Sequence, residues 1–156
     1  MRNKIIKNKN SGFTLIEVLI TVVILSLGLL GLAGLQLNSL RDNNSAEQRG
    51  KAALLVSDMV DRMRANRDSN NVAQLADYTN AAAQDASCET MAGCSRTALA
   101  GHDKFEWERE IANSLPLGQG SVSVAGAVFT VRVAWDDNRD GVVDASDASF
   151  SASFEP

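Results

Sequence analysis

The sequence predicts an α+β fold in which a long N-terminal helix, one half membrane-spanning and the other amphipathic, packs on a small antiparallel β-sheet domain. Three observations carry this reading. From Val18 to Leu35 no residue is charged, close to the run of about 20 apolar residues that crosses a bilayer as a helix. After it, Ala52, Leu55, Val56, Met59, Val60 and Met63 recur at three- and four-residue spacing, which puts them on one face of a helix. Towards the C-terminus, Val122 and Val124, then Phe129, Val131, Val133 and Trp135, alternate with other residues, the period of a half-buried strand.

Residues 1–12 form a leader whose cations are Arg2, Lys4, Lys7 and Lys9, with no acid. Such a bias keeps that end in the cytoplasm and places the rest of the chain across the membrane. A secretory signal would have an apolar core of about 7–15 residues with its small residue on the far side. Here the run is longer, and the small residue Gly12 precedes it. Residues 13–37 are the spanning segment. Its Gly28, Gly31 and Gly34 each cost about 1 kcal/mol of helix propensity relative to alanine in water, yet small residues let helices approach closely in an apolar medium. Residues 38–66 continue the helix with Lys51, Asp58, Asp61, Arg62 and Arg64 off the apolar stripe, and a breaker-rich stretch over 66–71 ends it.

The remaining residues, 67–156, are enough for one small globular α+β domain. Its first part, 72–101, is rich in Ala, Asn and Ser and reads as connections with little regular structure. Within it, Cys88 and Cys94 face an oxidising compartment and are expected to close a small disulfide loop. A cysteine metal site would need more ligands. The sole histidine, His102, is near in sequence, but a Cys–His nucleophilic pair would lack a third group to orient it. Asp103 followed by Glu106 resembles a capping arrangement, and Trp107, Ile111 and Leu115, closed by Pro116, predict a short helix over 103–115 with Trp107 in the core. The alternating strands on either side of Ala125-Gly126-Ala127 read as a hairpin, and Phe150 and Phe154 mark a further strand.

Asp136-Asp137-Asn138-Arg139-Asp140-Gly141-Val142-Val143-Asp144-Ala145-Ser146-Asp147 has the spacing of a calcium loop. Side-chain oxygens of Asp136, Asn138, Asp140, Asp144 and Asp147 stand at the ligand positions, Gly141 at the sharp turn, and Val142 offers a carbonyl. Val143 is expected to anchor the loop to the core. Aspartate in place of the usual final glutamate weakens the grip and matches extracellular calcium, on the order of 10⁻⁴–10⁻³ M. Clustered carboxylates repel, and a divalent cation resolves the repulsion; the alternative is a solvated acidic turn. The segment before the loop is a strand, which excludes an EF-hand domain.

Glu17 is the one acid inside the apolar run. A charge near the centre of a membrane helix costs roughly 2.5–3.5 kcal/mol on insertion scales, so it has a task. Ser11-Gly12-Phe13-Thr14-Leu15-Ile16-Glu17-Val18 resembles the class III signal of type IV pilins and pseudopilins. The resemblance implies a type IV pilin-like fold, cleavage after Gly12 by a prepilin peptidase, N-methylation of Phe13, and a Glu17 carboxylate that neutralises the N-terminal ammonium of a neighbouring subunit. Glu17 lies only about 6 Å along a helix from that new terminus, and in an apolar fibre core the attraction is strong because the dielectric is low. The plainer alternative is a signal anchor with an incidental acid.

The stretch Leu55–Asn66, the turn Leu115-Pro116-Leu117-Gly118 and the strand end Val133-Ala134-Trp135-Asp136 are similar to the PilV-type minor pilins, the pilus modification proteins. That group implies a non-enzymatic subunit, single-pass in the inner membrane with a periplasmic domain and later part of the extracellular fibre. It would initiate fibre growth and so support twitching motility and adhesion. Implied partners are the prepilin peptidase, other minor pilins, the major pilin and the inner-membrane assembly platform. Many major pilins carry a helix-breaking proline in the first helix, and this segment has none. A type II secretion pseudopilin shares the same signals, and a membrane-anchored calcium-dependent adhesive module is the rival of another class. Removing the leader's four cations takes the formal net charge from −4 to −8, which argues against nucleic-acid binding.

Overall fold

A computed structural model of the protein describes residues 12–68 and 72–156. The leader expected over 1–12 therefore lies outside the described residues except for Gly12, as does 69–71 of the stretch expected to end the first helix. By internal contacts the chain forms two units, Met1–Asn43 and Asn44–Pro156.

In the first unit, helix α1 (Leu15–Ala65) begins and runs unbroken through Gly28, Gly31 and Gly34. Its apolar residues are exposed on every side, from Leu15 and Ile16 to Leu37 and Leu40, and by length and composition it can cross a membrane. The polar side chains in this stretch are satisfied locally. Thr21 Oγ1 donates to the Val18 carbonyl at 2.8 Å and Ser26 Oγ to the Val22 carbonyl at 2.6 Å, so neither hydroxyl meets hydrocarbon with an unused donor.

In the second unit, α1 turns its predicted stripe inward: Ala52, Leu55, Val56, Met59, Val60 and Met63 are all buried. They pack with Leu75 and Tyr78 of a 3₁₀ segment (Val72–Thr79), with Trp107 and Ile111 of α2 (Arg96–Ser114), and with one face of a three-stranded antiparallel sheet. The sheet order is β1 (Gln119–Ala125), β2 (Val128–Ala134), β3 (Ser149–Phe154). Val122 pairs with Val131, and Val131 with Ala152. Gly126, at φ 61°, occupies the first of two turn residues between β1 and β2, where a tight hairpin needs the left-handed region and glycine enters it without penalty. The alternation of Phe129, Val131 and Val133 places all three in the core.

The second helix departs from its sequence reading. It starts at Arg96, and its N-cap is Ser95, whose Oγ accepts from the Ala98 N–H at 3.2 Å. Asp103 lies inside the helix and is buried, because its carboxylate takes tertiary donors in place of helix N–H groups. Residues 72–101 are also more ordered than composition implies, with 3₁₀ segments Val72–Thr79 and Ala86–Glu89 as well as the first turns of α2. Val143 does not reach the core. It is half-buried and lines a surface hollow with Ala112, Leu117 and Gly118, since the loop carrying it is held from the Asp136 end.

Both tryptophans fasten the second unit to α1. Trp107 Nε1 donates to the Leu55 carbonyl at 2.8 Å, and Trp135 Nε1 to Gln48 Oε1 at 3.2 Å. Where α2 crosses β1 there is no room for a side chain: a Cβ on Gly120 would lie 2.3 Å from Trp107 Cζ3 and 2.7 Å from Ile111 Cδ1. Gly120→Ala is therefore expected to lower stability by about 1–3 kcal/mol, the usual cost of overpacking a rigid core. Denaturant unfolding of the detergent-solubilised chain, followed by tryptophan fluorescence, measures it.

Candidate functional site

The predicted processing and assembly residues stand at the start of α1. Gly12 and Phe13 are exposed, Phe13 at 84%. Thr14 precedes the helix, and its Oγ1 and carbonyl both accept from the Glu17 N–H, at 3.4 and 3.1 Å. Glu17 is thus the acid of the first turn, the place where the positive end of the helix dipole favours a carboxylate. Thr14-Leu15-Ile16-Glu17 is a capping-box pattern, legible in the sequence and overlooked in the reading above. Of the two bonds of a capping box, the one from the Glu17 N–H to Thr14 is formed, and the Glu17 carboxylate stands one turn from Phe13.

Residues 136–147 form a loop between β2 and β3 built largely on carboxylate-to-amide bonds. Asp136, buried at the strand end, accepts from the N–H groups of Asp140 at 3.2 Å and Gly141 at 3.0 Å. Its own N–H donates to the Pro116 carbonyl at 3.0 Å. Asn138 Oδ1 accepts from the Asp140 N–H, and Asp140 Oδ1 from the Val142 N–H. Arg139 and Gly141 take positive φ, 62° and 89°, so the chain reverses tightly. Asp144 Oδ1 accepts from the N–H and Oγ of Ser146, which hold its carboxyl below the usual range. Asp147 Oδ2 accepts from the Asp144 N–H, whereas Asp147 Oδ1 is buried without a hydrogen-bond partner.

Among the described residues the one cluster of three metal-capable side chains is elsewhere, at Glu89, His102 and Glu106. The loop carboxylates do not gather into such a group. Sequence spacing missed this cluster because α2 and the 3₁₀ segment Ala86–Glu89 meet only in the fold. His102 Nδ1 accepts from the Asp85 N–H at 3.2 Å, while Nε2 faces Glu89 Oε1 at 3.7 Å. The lone pair is therefore spent on Nδ1 and the proton sits on Nε2, towards the carboxylates. A metal-bound histidine needs the reverse, a free Nε2 lone pair with the other nitrogen donating. Glu106 is in addition paired with Arg109 at 2.6 Å. The cluster is a clasp of one amide-to-imidazole hydrogen bond and a longer His102–Glu89 contact. It steadies the disulfide loop, in which Cys88 and Cys94 are joined as expected, and His102 does not act on a thiol.

A buried polar network closes the end of α1. Tyr78 Oη donates to Asp103 Oδ2 at 2.7 Å, and Arg62 Nη1 donates to Asp103 Oδ1 at 3.3 Å. Asn66 Nδ2 donates to Tyr78 Oη and to the Arg96 carbonyl, and Arg96 returns a bond to the Asn66 carbonyl at 2.7 Å. Every member has a partner, which is what a buried polar group needs to persist. Burial first, and then the bond to Asp103, push the Tyr78 hydroxyl well above its ordinary value.

Residues 7–33 match the family model of the prokaryotic N-terminal methylation motif, and residues 34–105 match the Tt1218-like model, type IV pilin Tt1218. The two stretches abut. Neither the curated proteins nor the solved structures gave a match.

Because Tyr78 holds its proton more tightly when folded than when unfolded, its contribution to stability is complete below about pH 10 and is lost as pH rises through the higher folded value. Tyr78→Phe leaves Asp103 without one donor and is expected to cost about 1–3 kcal/mol near pH 7. The gap to the wild type should shrink above about pH 10, as denaturant unfolding at the two pH values will show.

Proposed function

From a methylation-motif match over 7–33 that abuts a type IV pilin match over 34–105, we propose that the chain is a type IV pilin and serves as a minor pilin of the PilV type. In this role it is a structural subunit that helps start the fibre and supports twitching motility and adhesion. One observation carries the reading. Glu17 sits in the first turn of a helix that is apolar on all sides and exposed throughout its first unit. Such a surface must be covered by lipid or by the like helices of other subunits. On transfer from one to the other, the lone carboxylate needs a cation, and the nearest one of fitting chemistry is the new amino terminus that a prepilin peptidase exposes at Phe13 on a neighbouring subunit. Membrane anchoring, processing and pairing with other pilins follow from this one helix.

As a second element of the proposal, the loop takes calcium by drawing together carboxylates that without the ion cap amides and do not gather. Asp136, Asn138, Asp140, Asp144 and Asp147, with the Val142 carbonyl, would hold the ion, and Asp147 Oδ1, buried and unpartnered, is the oxygen that lacks a donor without it. The left-handed backbone at Arg139 and Gly141 turns the loop so that its amides are capped by the first three of these side chains. When bound, calcium neutralises the carboxylates and stiffens a surface loop beside β3.

Two outcomes are expected. Glu17→Ala should leave cleavage and N-methylation at Phe13 intact, by mass spectrometry, while at least tenfold less of the chain is recovered in sheared fibres; unchanged recovery would refute the charge-pairing account. Millimolar calcium should raise the thermal midpoint of the wild-type chain, with about 1.4 kcal/mol gained at tenfold Kd. Asp140→Ala should abolish the rise.

A further inference from the structure

We propose that the free edge of β3 is a docking site for an extended segment of another subunit, apolar at alternate positions and carrying a carboxylate, which adds a fourth strand to the sheet. β3 borders only β2, whereas β1, at the other edge, lies against α2 and the 3₁₀ segment Val72–Thr79. The Trp135 N–H donates to the Ala148 carbonyl at 3.3 Å, and this fixes the phase of the ladder. Residues 148, 150, 152 and 154 bond to β2, so Ser149, Ser151 and Ser153 turn their N–H and C=O groups outward.

Sheet edges are normally guarded by a charge, a proline or a bulge. Ser149–Phe154 has no charge and no proline. Phe150, on the face that looks towards α1, is left 39% exposed. Beneath it is a groove of about 460 Å³ lined by Arg49, Gly50, Ala148, Ser149 and Phe150, and a Cβ on Gly50 would meet nothing within 4 Å. An added strand would lay alternate side chains into this groove and bond its backbone to the serine edge.

Charge selects the occupant. In a chain of net charge −4, the three strands hold a single charged residue, Arg132. Arg49 lines the groove without an ion-pair partner among the described residues, and Arg64, paired with Asp61 at 3.6 Å, lies over the Phe154 ring at 5.4 Å. The unpaired Arg49 beside the groove favours a carboxylate-bearing strand.

The inference deepens the assembly reading above and rests on it. The test places a photo-cross-linking phenylalanine analogue at position 150 of the full chain in the producing cells. The expected result is one adduct with a chain of different mass, joined through an extended segment that contains an acidic residue. Its yield should fall at least tenfold with Ser151→Pro, which removes one outward N–H and none bonded to β2, and with Arg49→Glu, but not with Ser151→Thr, which keeps the N–H. An adduct of two copies of this chain, no adduct, indifference to Ser151→Pro or Arg49→Glu, or equal loss with Ser151→Thr overturns the proposal. Maturation at Phe13 and Glu17-dependent recovery in fibres are read on the same cells. If those hold while the adduct fails, strand docking is wrong and the minor-pilin reading stands; if those fail, that reading falls on its own account.

Discussion

The second unit depends on one contact surface, the α1 stripe from Gln48 to Met63 beneath the sheet and α2. Burial of its aliphatic and methionine side chains supplies the driving force, at about 25 cal/mol per Å² of apolar area. Non-directional burial alone would let a helix slide or rotate under a sheet. The two indole N–H groups remove that freedom, since each must find an acceptor when its ring is buried, and they find theirs two turns apart, at Gln48 and at the Leu55 carbonyl. The closely packed crossing at Gly120 follows from the same arrangement, with Trp107 lying flat against the first strand.

At the opposite end of α1 the constraint is reversed. The helix there has no covering protein surface of its own, and an apolar surface of this kind calls for lipid or other apolar helices around it. Two hydroxyls turned back on the backbone and one acid seated at the capped first turn leave Glu17 as the charge to be matched. A carboxylate in the first turn of a helix is favoured by the positive end of the helix dipole. Glu17 also stays within one turn of Phe13, the geometry on which the proposed charge pairing rests.

Between these ends most buried polar groups find partners in other elements. Asp103, Tyr78, Arg62 and Asn66 satisfy one another; His102 is spent between an amide and two carboxylates; the acidic loop caps its own amides. What is left unused is a buried oxygen on Gln74, a buried oxygen on Asp147 and the outward backbone of β3. The last two lie on the C-terminal side of the sheet, where Phe150 and Arg49 are also exposed. The strand-docking proposal rests on that flank.

Periodicity and composition, which need no partner, determined much of this protein by themselves: the apolar run, the α1 stripe, the hairpin around Gly126, the third strand at Phe150 and Phe154, the cysteine pair and the leader junction at Gly12. Each is a statement about which residues avoid water or which backbone angles are affordable at one place. The tertiary structure decided the start of α2, the role of Asp103 and the clasp at His102. There the deciding groups, Tyr78, Arg62, Asp85 and Glu89, come from other elements, and a side chain that could cap its own helix instead meets stronger donors brought by the fold. Val143 shows the same limit. An apolar residue in an acidic loop reads as an anchor, but whether the core is within reach is set by where Asp136 fastens the chain, which no local pattern encodes.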